Sequence, residues 1–373
     1  MLLAPFATER FGFRGFVAVY AVAALAWVPL LRRQLPLALV VLIAVMLRVP
    51  FLFHEPRLSG DVYRYLSDGR VFAGGGNPYA YTPTDPRINH PEIRSIYPPH
   101  AQWVFRLVPA LTPWRLVLIG ADLAVIVLLR KRGALAYATC PLVLIEGVWS
   151  AHIDALAAAL LLVALLRHSG VAAALAGGMK IIPFAAVPAL LRKGPLTARR
   201  VLAFLAALTI PVIPFLGAPI MPGFRDYATR WIFNSPLYEL VRMLVERVDT
   251  KLIWTHHPLR FEAISDVVYR HLYPDFVTRA ILAVIAVAAI LSARKVTTAI
   301  AALLICSPAI HPWYWVTLVP AALAERSGWV WFALAAPVSY LLYEGASSPL
   351  LVMAACYALP GIAIFVERGR PAR

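Results

Sequence analysis

"LPLALVVLIAVMLRVPFLFHEPRLSGDVYRYLSDGR" occupies residues 35–70. Its first half, 35–53, is apolar almost throughout and long enough to cross a bilayer. Its second half sets Asp61, Arg64, Asp68 and Arg70 within a few residues of where that crossing ends. Charge placed at the rim of a membrane, and not at a loop tip, is what the mouth of a membrane-embedded site requires.

The rest of the chain agrees with a membrane setting. Hydrophobic residues make up 61% of the 373 and charged residues 14%, with a mean hydropathy of +0.73. A soluble domain is nearer half apolar and a quarter charged. Further apolar runs at 15–31, 114–129, 134–149, 154–166, 201–219, 280–293, 296–310, 313–324, 328–343 and 348–366 predict about 11 spans together with 35–53. No alternation of period two is sustained, which argues against a barrel.

The net charge of +16 would suggest nucleic acid in a soluble protein. Its distribution points to topology instead, and no nucleic-acid partner is expected. The short connectors at 32–33, 130–132, 167, 192–200, 294–295, 326 and 367–373 hold 16 Lys and Arg against Glu325 and Glu367. The long loops 54–113 and 220–278 are near neutral, with 13 basic and 12 acidic residues. Short loops and C-terminus are therefore expected on the cytoplasmic side of the cell membrane, and both long loops outside. The first span has no cleavage pattern after it and reads as an uncleaved anchor. An excess of 30 Arg over 5 Lys, with much Ala and Pro, hints at a bacterial source.

This orientation requires 170–191 to leave and return on one side, and 22 residues cannot cross twice. "ALAGGMKIIPFAAVP" holds Gly-Gly, Lys180 and two prolines, so a broken re-entrant hairpin is predicted. Such backbone survives only inside protein or beside a wet cavity. The expected fold class is all-α: one polytopic membrane domain over 1–373. Cys140, Cys306 and Cys356 lie in apolar segments with no disulfide or metal spacing.

In the first long loop Ser59 can cap a helix beginning at Gly60, ended by "GGG" at 74–76. Asp61, Arg64 and Asp68 then share one face, with Arg64 able to bridge both aspartates. "SIYPPHAQWVFRLVPAL" (95–111) predicts a turn and a short interfacial helix. Charges of such a helix could simply face water. Against that, further polar residues gather at the same outer level: His152 and Asp154 in "WSAHIDALA", Lys180, and His311 in "SPAIHPWYW". Intramembrane ionisable groups are costly and usually functional. Individually they could be helix caps, snorkelling chains or interface anchors, and Asp122 and Glu146 read as hydrogen-bonded structural groups. One or two carboxylates with several cations at the outer face suit glycosyl transfer from a lipid phosphate. A base deprotonates the acceptor hydroxyl, and cations neutralise the departing phosphate. No metal ion and no cofactor is demanded if side-chain cations do this.

"GDVYRYLSDGRVFAGGGNPYAYTPTDP", "IYPP", "HIDALAAALLL", "GGMKIIPFAAVPALL" and "HPWYW" together resemble the GT-C superfamily of polyprenyl-phosphate-sugar-dependent glycosyltransferases. The likeness is greatest to family 87 and the polyprenol-phosphomannose-dependent mannosyltransferases of actinobacterial envelopes. The resemblance implies a GT-C fold and inverting transfer of a hexose, mannose first, from a polyprenyl-phosphate donor to a glycolipid or glycan acceptor. It makes Asp61 the general base and Asp68 a sugar- or Arg64-positioning acid. Lys180 is put on the donor phosphate and His311 on the phosphate or acceptor. His152 and Asp154 match a His-Asn-Asp element in which Ile153 replaces the polar middle residue. Arg64, Arg70, Asn77, Tyr97 and Tyr314, in the same motifs, are implied substrate contacts. Loop 220–278 is expected to shape the acceptor site. The competing class is a transporter or flippase of a lipid-linked or small polar substrate, which would show midplane contacts and inverted repeats.

Overall fold

The computed structural model describes residues 1–194, 197–256, 265–345 and 348–368, with side chains except in 248–273 and 366–368. The basic tail at 369–373, assigned to the cytoplasmic side from its charge, lies outside the described residues, as does 257–264 of the second long loop. The chain is 76% helix, with no strand among the described residues. In order, the α-helices are α1 (Ala4–Trp27), α2 (Leu37–Arg48), α3 (Asp61–Ala73), α4 (Pro99–Leu107), α5 (Leu111–Leu129) and α6 (Ala134–Ala138). Then follow α7 (Asp154–Arg167), α8 (Gly170–Met179), α9 (Val187–Leu191), α10 (Ala198–Thr209), α11 (Ile220–Arg230) and α12 (Pro236–His256). The last are α13 (Ser265–Ser292), α14 (Val296–Cys306), α15 (Val319–Ala324), α16 (Val330–Ala335) and α17 (Pro349–Arg368).

Among the described residues four helical stretches are long and apolar enough to cross a membrane: Ala4–Arg32, Leu111–Arg132, Ala198–Phe215 and Pro274–Ser292. Val143–Trp149 and α7 make a fifth candidate only as a pair, bent by 116°. Six shorter apolar helices accompany them; Leu37–Phe53, Val296–Cys306, Val330–Glu344 and Pro349–Phe365 correspond to other runs expected to span, and Gly170–Met179 and Ile182–Leu191 to the arms of the expected hairpin. Prolines within these runs convert α-helix to short 3₁₀ segments, so one hydrophobic run need not be one long helix. The outward faces remain apolar: Leu202 is 66% exposed, Val284 71% and Phe365 79%. Side chains like these face lipid without cost and water at a high one.

Two ends of the bundle differ in chemistry. Arg33, Arg130, Lys131, Arg132 and Arg167 line one concave surface. Arg167 closes α7, whose first residue, Asp154, is at the opposite end among the polar residues described below. One buried pair of opposite charges ties two helices of the bundle together. Arg48, at the end of α2, donates to Asp122 of α5 at 3.0 Å and to the Ala138 carbonyl, while Tyr137 donates to Asp122 at 2.7 Å. Both charges are wholly buried, and the structural reading of Asp122 agrees with this. Arg48→Met is expected to cost about 3–5 kcal/mol, because it strands the Asp122 carboxylate. A lowered thermal unfolding midpoint in detergent, restored by Asp122→Leu in the same chain, checks it.

The first loop folds onto the bundle. α3 runs over Asp61–Ala73, one residue later than expected, with Gly60 at the capping position, Ser59 Oγ accepting from the Asp61 N–H at 3.2 Å and Gly74 closing the helix. α4 packs beside it through Tyr65 and Phe105, stacked at 4.7 Å. The second loop joins at the same end. Phe233, between α11 and α12, bridges to the strand-like stretch before His311: its N–H donates to Pro308 and its carbonyl accepts from Ile310.

Candidate active site

The hairpin predicted at 170–191 forms α8, an extended Lys180 (φ −148°, ψ 137°), and a return through a 3₁₀ turn and α9. Two glycines make it possible. A Cβ at Gly177 would lie 2.3 Å from the Phe184 ring of the returning arm. One at Gly178 would lie 2.4 Å from the His100 ring of α4. The hairpin can therefore close on itself and admit the first loop, which leaves Lys180 at the junction.

Lys180 Nζ donates to Asp154 Oδ2 at 3.1 Å and lies over the rings of Tyr314 at 4.9 Å and Tyr97 at 5.6 Å. Tyr97 also donates its hydroxyl to Asp61 Oδ2 at 3.1 Å. The Asp61 side chain is 25% exposed and the His152 ring is wholly buried, Nδ1 lying 3.8 Å from Asp61 Oδ2. The broken geometry at 143–154 explains why His152 faces inward. Val143–Trp149 winds as a π-helix, the Ser150 N–H reaching Ile145 and the His152 N–H reaching Glu146. Ala151 then takes φ +59°, a strained value for a residue with a Cβ. Spans were expected on either side of 150–153; the wide turn lies at their junction, where the two helices are bent by 116°.

His311 caps the segment Pro312–Leu318 and sits in a column of parallel rings. Phe233 stacks on His311 at 4.8 Å, His311 on Trp313 at 4.5 Å, and Trp313 on His152 at 4.3 Å. Tyr343 hydrogen-bonds His311 Nδ1 at 2.9 Å, and the hydroxyls of Tyr227 and Tyr314 are hydrogen-bonded to each other. The column ties the second long loop to the residue behind Asp61.

In front of these groups opens a cavity of about 930 Å³. Asp61, Arg64, Tyr97, Lys180, His311 and Tyr314 line it at the polar end. From there it runs between α13 and α14, past Ala280, Ala283, Ala286, Leu303 and Leu304. A space with carboxylate and ammonium at one end and a mainly apolar arm at the other suits an amphiphile whose polar head carries the reacting bond.

Not every residue singled out from the sequence takes the place expected of it. The Arg64 guanidinium does not bridge the aspartates. It donates to the carbonyls of Ile93, Asn89 and His90, pinning the loop that roofs the cavity. Asp68 is turned away and fully buried, accepting from Ser95 at 2.5 Å, Tyr81 at 3.0 Å and Gln102 at 3.2 Å. Burial pushes its carboxyl up to about 6, outweighing those hydrogen bonds and the field of Arg64. Arg70 is exposed at the far end of α3. Asn77 is exposed and closes its own turn by accepting from the Tyr79 N–H at 2.9 Å. His152 and Asp154 stand directly behind the cavity lining, each touching a residue in it.

Some site residues escaped the sequence reading. Tyr227, Phe233 and Tyr343 are aromatic residues among many, and only the fold distinguishes them. Tyr65, whose hydroxyl lies 3.4 Å from His152 Nδ1, is set apart from the other aromatic residues only by the fold. Glu146 read as structural, and its position beside His152 depends on the π-helical turn.

Residues 10–98 match a family model described as alpha-(1->6)-mannopyranosyltransferase, N-terminal domain. The matched stretch runs from within α1 to the residue before α4 and includes Asp61, Arg64 and Tyr97. It supports a mannosyltransferase family, and with it a glycosyltransferase enzyme. No curated protein and no solved structure matches the chain.

Proposed function

We propose that this chain is a GT-C-type membrane glycosyltransferase. It moves a hexose, mannose on the strength of the family match, from a polyprenyl-phosphate donor to a hydroxyl of a glycolipid or glycan. The reaction takes place on the extracytoplasmic face and inverts the anomeric centre. The observation that carries this reading is the single cavity in which Asp61 and Lys180 face the same space and from which an apolar arm leads between α13 and α14.

In the reaction, the acceptor hydroxyl enters beside Asp61, whose carboxylate takes its proton as the oxygen attacks the anomeric carbon. The bond from that carbon to the phosphate oxygen breaks, and the electron pair leaves on the phosphate. Lys180 meets this charge, held forward by Asp154 and flanked by two aromatic faces. Tyr97 orients the Asp61 carboxylate. The polyprenyl chain occupies the arm beside α13 and α14, where burying apolar surface contributes about 0.8 kcal/mol per methylene.

Because an ammonium group does the neutralising, the expected donor is lipid-linked and the expected metal requirement is nil. Purified protein in lipid nanodiscs, given labelled polyprenyl-phosphate-mannose and a glycolipid extract, should form product at an unchanged rate in EDTA. GDP-mannose should give none. Turnover with the nucleotide sugar, or with neither donor, rejects the proposal.

A further inference from the structure

We infer that Glu146 and His152 form a buried proton-accepting pair behind Asp61. His152 relieves Asp61 of the abstracted proton, and Glu146 acts as the positioning residue that selects the ring tautomer. The inference rests on the transfer reading above.

Three observations carry it. First, the groups are in line: Asp61 Oδ2 lies 3.8 Å from His152 Nδ1, and His152 Nε2 lies 3.4 Å from Glu146 Oε2. Both inner side chains are fully buried, whereas Asp61 is partly open to the cavity. Second, the polar groups have few other partners. Glu146 Oε1 accepts from Tyr340 at 2.9 Å and the Ser150 hydroxyl lies close to the carboxyl, but Oε2 and His152 Nε2 have no hydrogen bond of good geometry among the described residues. A buried carboxylate oxygen and a buried ring nitrogen aimed at each other are costly unless a proton lies between them. Third, the backbone is bent to produce this arrangement. The π-helical winding and the positive φ of Ala151 bring Glu146 and His152 onto one side of a break. Strain of this kind persists where the surroundings over-determine it, often at functional sites.

With Glu146 as the carboxylate, Nε2 carries the ring proton and Nδ1 presents its lone pair toward Tyr65 and Asp61. The stack on Trp313 prevents the ring from turning over. During transfer the acceptor's proton passes to Asp61 while the new glycosidic bond forms and the phosphate leaves with its electron pair. The same proton then moves from Asp61 to Nδ1, and the resulting imidazolium is held against the Glu146 carboxylate. After product leaves, the proton returns through Asp61 to water at the cavity mouth, and the pair is reset.

The test uses the full-length enzyme with lipid donor and measures kcat and both Michaelis constants. His152→Gln and Glu146→Gln are each expected to lower kcat about 10²-fold, the low end for general acid–base groups. KM for donor and acceptor should stay unchanged, because neither side chain reaches the cavity surface. The double variant should be no slower than either single one, since the two act as a unit. Losses in kcat that multiply in the double variant, or wild-type kcat in folded Glu146→Gln, overturn the pair. If Glu146→Gln does not fold, His152→Gln decides, and wild-type kcat there overturns it. Inactive Asp61→Asn beside fully active Glu146→Gln removes only this inference. Fully active Asp61→Asn removes the transfer reading and the pair with it.

Discussion

Asp61→Asn is expected to fold normally and to lose transfer by about 10²–10⁴-fold, the range for removing a positioned general base. The amide is nearly the same shape and its oxygen can still accept from Tyr97, which now donates at 3.1 Å. No buried cation is left without its partner, because the carboxylate makes no ion pair with Lys or Arg among the described residues. What disappears is the proton acceptor alone. Donor and acceptor KM should therefore move little while kcat collapses, the signature of an interaction made in the transition state. Labelled transfer measured beside a thermal unfolding midpoint gives both numbers. A folded variant with wild-type kcat ends the assignment of Asp61 as base.

Lys180→Ala should act on two properties at once. Its ammonium is the side-chain cation nearest the polar end of the cavity that is not tied to backbone carbonyls, so its loss should raise donor KM. A charge-assisted hydrogen bond to a phosphate is worth about 1.5–3 kcal/mol, or roughly tenfold and more. The same substitution strands Asp154, which is wholly buried and whose Oδ1 already has no partner. An uncompensated buried charge costs about 3–5 kcal/mol, so the variant should also melt earlier. Combining Lys180→Met with Asp154→Leu separates the two effects: stability should return and donor KM should stay high. Titrating each substrate in turn checks this. An effect confined to acceptor KM removes Lys180 from the phosphate.

Much of this was legible in the residues. α3 lies within one residue of its expected start because Ser59, Gly60 and the glycines at 74–76 are local signals of helix ends. The broken hairpin is where Gly-Gly and two prolines place it, since an interrupted apolar run must be stabilised from within the protein. Its lysine faces the same cavity as Asp61 for that reason. The partner of Arg64 was not legible. Helical spacing set it between two aspartates, but the loop at 89–93 offers three carbonyls closer to its guanidinium, and carbonyls carry no sequence signal. Asp68 and Asn77 failed similarly: both sit in motif positions, yet local turns and hydroxyl donors engage them away from the cavity.

The distribution of apolar runs, basic connectors and helix breakers by itself determined a helical membrane protein with polar residues gathered toward one end. Hydropathy and helix capping depend on neighbours within a few positions, and the chain alone displays those. Tertiary structure decided the pairings. Lys180 meets Asp154 across 26 positions, and the Phe233–His311–Trp313–His152 column joins three distant segments. Glu146 reaches His152 because one turn winds wide and Ala151 reverses its φ. Such contacts depend on how far one helix slides and tilts against the next. Packing of the whole bundle sets that displacement, and no periodicity along the chain encodes it.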